Sequence, residues 1–291
     1  MRTGVLLLQD VPWSVLRERA VRAEAMGFDA IWVADHLVEP YRPDVNWSEA
    51  WTLLGALAAS TTRATLGALT SSLTLRNPTL LVQAAQTLRN ISSDRAELAL
   101  GAGGAPLDHQ MTGTPMWTPS ERAEHFAEFV PLVSDILRSG ALPAGTKTTH
   151  FPVDGVRLPA SGGVRLTVAA LGPQSIVLAA RYGDAWNSYG VPTGKRLTSR
   201  LTHEQALDLF RTRKARFDRS CVAAGRDPAS IATSYTWVES YVEPGLSDLN
   251  AGVAVARDFR AAGVSEFIVY WPKEASQEEN LAEFARIIRD I

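Results

Sequence analysis

From Gly4 to Ile291 short apolar runs alternate with helical stretches, and this cadence constrains the fold more than any other feature of the chain. The runs are Gly4–Gln9, Ala30–Ala34, Thr65–Thr70, Ala96–Leu100, Arg165–Ala169, Ala185–Ser188, Ile231–Glu239 and Glu266–Trp271. Most are near-continuous in Val, Ile, Leu, Ala and aromatic residues. Parallel strands covered on both faces need that composition, whereas half-solvated strands alternate. The strand–helix cadence predicts an α/β fold, a (β/α)8 TIM barrel, with its chemistry on the loops that follow the strands.

Helical patterns lie between the runs at Pro12–Met26, Ser48–Ser60, Pro78–Asn90, Ser120–Ser139, Pro173–Gly183, Thr202–Gly225, Asp248–Gly263 and Glu274–Ile291. Gly27 reads as the stop of the first. Ser120 reads as the N-cap of the fourth, with Ala123 where a capping box needs an acid. The length fits one domain over 1–291. Gly140–Gly163 breaks the repeat. It is rich in Gly, Pro, Thr and Ala, and its β-prone pieces Thr148–Val153 and Gly155–Leu158 are expected to pair as a hairpin. This is an insertion between the fourth helix and the fifth strand.

A hydrophobic fraction of 46% can supply the core of such a barrel. The 29 basic and 31 acidic residues are spread along the chain, net −2. That balance offers no electrostatic footprint for nucleic acid or an anionic membrane, so the expected partner is a small molecule. Cys221 is the only cysteine, which excludes an intrachain disulfide and a multi-cysteine zinc site. On a helix it reads as a buried structural thiol. His109, His125, His150 and His203 lack metal-ligand spacing, and no metal site is expected. No run approaches the ~20 apolar residues of a membrane span. The N-terminus opens directly into the first strand without an apolar leader, so a cytoplasmic location is expected.

The second strand ends in Asp35-His36, a carboxylate and an imidazole at the catalytic rim. Neighbouring strand residues face opposite sides, so only one of them looks into the barrel. Position alone leaves two readings for His36, a general acid/base or a strand-capping histidine. Leu66 to Ser72 and Gly101-Ala102-Gly103-Gly104 place small residues at the rim, where a flat ring can approach. Gly101 to Gly104 is not read as a nucleotide P-loop, because no Lys-Ser/Thr follows and Pro106 stands where a helix would start. Gly172-Pro173 opens a helix directly after the fifth strand and is a candidate anion site. Asn187, Ser188, Tyr189 and Gly190 close the adjacent strand and can complete the same pocket. Beyond them Lys195, Arg196 and Arg200 form the densest basic cluster at the predicted catalytic face. The aromatics expected at the rim are Trp32, Tyr41, Trp47, Trp117, Tyr189 and Trp271.

Four ordered blocks resemble the bacterial luciferase-like flavin and deazaflavin oxidoreductases, also called the luciferase-like monooxygenase family. They are Ala23 to His36, Leu66-Gly67 running to Arg76-Asn77-Pro78, Arg95 to Gly103, and Ala179 to Asn187. The resemblance implies an interrupted barrel with a flavin-type ring in its mouth. The ring would lie against Leu69, Thr70 and Ser71, where family members carry a non-proline cis peptide. The cofactor phosphate would lie at Gly172-Pro173 and the loop from Asn187 to Gly190. Asp35-His36 looks most like the subgroup that uses coenzyme F420, and the cluster at Lys195 suits that coenzyme's glutamate tail. Gly104 stands where the sugar-phosphate dehydrogenase branch carries an acidic glutamate, so that branch's substrate is not carried over.

The reading is an F420-dependent oxidoreductase moving hydride between the deazaflavin and a small organic substrate, with His36 in the proton role and Asp35 orienting the strand end or the substrate. The nearest rival is an FMN-dependent monooxygenase on the same fold, which uses oxygen and takes reduced flavin from a partner reductase. The other is a cofactor-binding protein without turnover. A homodimer is compatible with all three.

Overall fold

The structure, a computed structural model, describes residues 1–159, 162–191, 201–241 and 245–291. Its strands are β1 Arg2–Leu7, β2 Ala30–Val33, β3 Thr65–Ala68, β4 Ser71–Ser72, β5 Glu97–Gly101, β6 Arg165–Ala169, β7 Ala185–Tyr189, β8 Ala232–Trp237 and β9 Glu266–Tyr270. They form one parallel sheet in the order β3-β2-β1-β9-β8-β7-β6-β5-β4. A parallel bridge between Leu66 and Ala96 joins β3 to the approach of β5 and brings the two ends of the sheet together. The barrel therefore forms as expected, with one change. The third predicted strand, Thr65–Thr70, stops at Ala68, and a separate strand, β4, begins after the Leu69–Thr70 peptide, which is cis.

The helices are α1 Trp13–Met26, α2 Ala50–Ala58, α3 Pro78–Ile91, α4 Pro106–Thr112, α5 Pro119–Ser139, α6 Pro173–Tyr182, α7 His203–Ala223, α8 Leu249–Ala261 and α9 Glu278–Arg289. Two readings need correction. Thr118, not Ser120, caps α5: it accepts from the Glu121 N–H while Glu121 reaches back to the Thr118 N–H, so the capping box is complete two residues earlier than expected. Pro106 does start a helix, occupying the first turn of α4, where its missing N–H is no loss.

The hairpin expected in 140–163 does not form. The N–H groups of Thr149, His150 and Phe151 donate instead to the Glu128 carboxylate of α5 at 2.9 to 3.2 Å. The Phe151 ring sits edge-on to Phe129, 5.0 Å between centroids. With its donors satisfied by one side chain, this piece has no need of a partner strand. Only an antiparallel bridge between Ala141 and Arg157 remains among the described residues.

Alternation along the strands builds two cores. Outward residues such as Val5, Leu7, Ile31, Val33, Leu98, Val168, Phe267 and Val269 pack under the helices, and Cys221 lies buried among them. Inward residues Leu6, Ala30, Trp32, Ala99 and Ile268 fill the barrel, capped toward the mouth by Leu8, Leu69 and Tyr270. At the opposite end, the first residues of five strands meet. Arg2 donates to Thr65 at 2.5 Å, to Glu266 at 2.8 Å and to Glu97, and Arg165 donates to Glu97 at 3.2 Å and Glu266 at 2.9 Å. Both glutamates are buried. Charge at this floor serves stability, because barrel chemistry collects at the other face. No helix among the described residues is long and apolar enough to cross a membrane.

Candidate functional site

Parity along β2 decides the Asp35-His36 pair. β2 ends at Val33, with Trp32 inward and Val33 outward; continued past the strand end, the same alternation gives His36 the inward side and Asp35 the outward one. Asp35 is 2% exposed, accepts the Ser72 N–H at 3.1 Å and the Arg76 Nε at 2.9 Å, and bonds Arg76 Nη2 as well. Arg76 also reaches Glu49 at 2.5 Å. Asp35 thus ties the end of β2 to β4 and to the entry of α3. Both of its oxygens are occupied.

His36 is held by a residue that sequence reasoning missed. Its Nδ1 donates to Asp108 Oδ2 at 2.7 Å, while Asp108 Oδ1 accepts the Leu37 N–H at 3.0 Å. Asp108 is 3% exposed at its side chain and His36 32%. The Trp47 indole N–H donates to the His36 carbonyl at 2.9 Å and fixes the loop from the other side. With Nδ1 bonded to a carboxylate, the neutral ring leaves Nε2 free of its proton. The signals for α4 were present: a start proline, an acid in the first turn and Gly113 as a left-handed stop. What local pattern does not reveal is that this helix crosses to the end of β2.

The residues expected around a ring divide by placement. Leu69 caps the inner core, and Thr70 follows the cis bond. Thr70 lies against Gly101: a Cβ there would overlap Thr70 Oγ1, so only glycine lets the threonine occupy this wall. Ala102 and Gly103 continue the small-residue rim, Gly103 under Ser72 Oγ and Thr74 Oγ1. The Ser71 hydroxyl is buried without a hydrogen-bond partner. Leu8, Leu69 and Tyr270 make an apolar floor.

On the far side, Gly172 caps α6, and its N–H is taken by the Ser175 hydroxyl at 3.2 Å. Pro173 begins the helix. Asn187 is buried, its amide donating to Ser234 at 2.6 Å and Thr236 at 3.1 Å. Ser188 faces outward beside Trp186, its hydroxyl buried and without a partner. Burial pushes the Tyr189 phenol up, against the opposing charges of Arg213 and Arg122, so it is a neutral donor. Arg213 of α7 donates to the Tyr189 and Val191 carbonyls at 2.8 and 2.6 Å and pins the turn through Gly190. Lys195, Arg196 and Arg200 lie outside the described residues.

Two expected rim aromatics stand elsewhere. Trp32 is inside the barrel beside Gly4 and Gly67, and Trp271 packs outside it, its indole donating to Glu278 at 3.3 Å. His125 stacks on Trp117, His109 meets the same indole edge-on, and His150 lies against His125 with centroids 3.9 Å apart. His203 bonds Asp258 at 2.8 Å. Among the described residues no three His, Cys, Asp or Glu side chains converge as metal ligands.

Residues 1–241 match the family model of the luciferase-like monooxygenases. The chain is similar to an F420-dependent glucose-6-phosphate dehydrogenase of Beutenbergia cavernae, 35% identical over 179 residues that make up 57% of this chain and 49% of the relative. It is also similar to a phthiodiolone/phenolphthiodiolone dimycocerosates ketoreductase of Mycobacterium kansasii, 29% identical over 245 residues, 77% of this chain and 62% of the relative. It therefore spans about half the length of the first and under two thirds of the second. In fold it is similar to an F420-dependent secondary alcohol dehydrogenase in complex with an F420-acetone adduct, with a TM-score of 0.83, 19% identity and 99% of both chains covered.

Proposed function

Because the chain belongs to the luciferase-like monooxygenase family, we propose that it is an oxidoreductase that binds coenzyme F420 in the barrel mouth and moves a hydride between it and a small organic substrate. Support comes from the similarity to proteins named as F420-dependent. The single observation that carries the reading is the His36–Asp108 pair, an oriented imidazole one-third exposed at the strand end where barrel chemistry collects.

The residues present suit a flat tricyclic ring. Leu8, Leu69 and Tyr270 give it an apolar surface, and the Gly101 to Gly103 rim, where a Cβ would overlap Thr70 or Ser72, lets it approach backbone. When bound, a deazaflavin supplies two-electron hydride chemistry, since carbon replaces nitrogen at its reactive position.

The protein's part is to orient and to handle the proton. Asp108 keeps the Nδ1 proton of His36 engaged, so Nε2 takes a proton from a substrate hydroxyl or, once protonated, returns one to a carbonyl oxygen. Asp35 and Arg76 hold the strand end that carries the imidazole. Tyr189 offers a neutral hydroxyl donor, and Arg213 fixes the turn on which it sits. The cofactor's phosphate is assigned to the Gly172-Pro173 start of α6 and the turn from Asn187 to Gly190. The Gly172 N–H already donates to the Ser175 hydroxyl, a bond that the phosphate would have to displace.

Titration of the full chain with F420 and with FMN tests the reading. F420 should bind at least about tenfold tighter, and added salt should weaken it by screening the tail. Tighter FMN binding without salt dependence would favour the monooxygenase reading, and failure of both would leave a protein of another function.

A further inference from the structure

The first turns of α5 stand over the loop that leaves β5, and one cation there has no counterpart. Gly104 has φ +134°, a conformation that side chains rarely adopt, and a Cβ on it would overlap Arg122 Nη1. The guanidinium thus fills the space that a side chain at 104 would take. It is half-buried, yet it makes no hydrogen bond or ion pair with any described residue.

Nearby acids are committed elsewhere. Asp108 has both oxygens on His36 and Leu37, Glu121 accepts the Thr118 N–H at 2.7 Å, and Glu124 accepts the Ser120 hydroxyl at 3.2 Å. Other arginines around the barrel are satisfied: Arg76 by Asp35 and Glu49, Arg213 by two carbonyls. Arg122 alone of these three keeps its planar fork open. Its positive charge also reaches the Tyr189 phenol. A fork of this kind, partly withdrawn from water and without a partner, matches a carboxylate or phosphate in two parallel hydrogen bonds.

We propose that Arg122 is the anion ligand of the substrate site, so that the organic substrate carries a carboxylate, phosphate or sulfonate held at the β5 side of the mouth. The assignment deepens the oxidoreductase reading and rests on the mouth being the substrate site. Gly104 and Asp108 flank the start of α4, which puts the anion ligand and the His36–Asp108 pair on the same side of the opening. A substrate anchored there by its charge presents its reacting carbon to His36 from a set direction, the orientation effect that separates productive from idle encounters.

Methylphosphonate and its neutral dimethyl ester, titrated calorimetrically into the full chain, test this. Methylphosphonate should bind saturably and the ester should not. Arg122→Gln should weaken methylphosphonate at least about tenfold, Arg122→Lys should restore part of it, and both should melt like wild type and bind F420 within about twofold. Absence of saturable methylphosphonate binding to wild type, or equal binding by Arg122→Gln, overturns the assignment. Loss of F420 affinity in Arg122→Gln also overturns it, because the guanidinium would then hold the cofactor's anion. If wild type binds no F420 while methylphosphonate still depends on Arg122, the cofactor reading falls and the anion site stands.

Discussion

Asp108→Asn separates orientation of His36 from its mere presence. The native carboxylate makes two hydrogen bonds from a side chain only 3% exposed, 2.7 Å to His36 Nδ1 and 3.0 Å to the Leu37 N–H. Asparagine keeps the shape, and its carbonyl can still accept from Leu37. Its NH2 then faces Nδ1, so the neutral imidazole must move its proton to Nε2 to avoid two opposed donors. One charge-assisted bond becomes a neutral one, a stability loss of about 1–2 kcal/mol. The chemical loss is larger, because Nε2 no longer accepts a proton, and positioned acid/base groups contribute ~10²–10⁴ in rate. Nitrogen-15 spectra of the imidazole report the tautomer directly. F420 absorbance reports turnover against a panel of small alcohols and ketones. Asp108→Asn should flip the tautomer and lose about as much rate as His36→Asn, with F420 affinity retained. If the tautomer flipped while turnover fell less than about twofold, the proton role of His36 would be lost.

Three further outcomes follow from other parts of the barrel. Gly101→Ala forces Thr70 Oγ1 away from the Cβ and into the mouth, so F420 should bind at least about tenfold more weakly by fluorescence titration, about 1.4 kcal/mol; unchanged affinity would remove this wall from the cofactor site. Burial alone would push the Glu49 carboxyl up, but the Thr52 and Trp51 N–H groups and the Arg76 guanidinium outweigh it and hold it at about 2. Its ionised form therefore stabilises the fold above the ordinary value of 4.5, and that contribution is lost as pH falls toward 2. Melting curves of Glu49→Gln should show a flatter slope than wild type across that window, and an identical slope would count against the linkage. Arg2→Met leaves Glu97 and Glu266 with Arg165 as their remaining cation, which should cost about 3 kcal/mol in denaturant unfolding and leave F420 affinity unaltered.

Much of this architecture was open to local reading because its causes are local. Strands buried on both faces must be apolar throughout, and helices announce themselves through period, proline starts and glycine stops, so the strand–helix order and most helix positions follow from pattern. Even the small rim at Gly101 to Gly103 and the imidazole of His36 stand out one strand end at a time. Where pattern misled, a contact from a distant segment had intervened. Glu128 takes the donors of Thr149 to Phe151 and removes the need for a hairpin. Parity turns Asp35 outward to an arginine 41 residues away. The pairs that give the site its chemistry are of the same kind: Asp108 lies 72 residues from His36, and Arg122 meets Gly104 across the gap between a helix and a loop. Strand period and helix signals act within a few residues and are written along the chain. Which carboxylate reaches an imidazole, and which guanidinium is left without a partner, depends on how closure of the barrel brings the strand ends together.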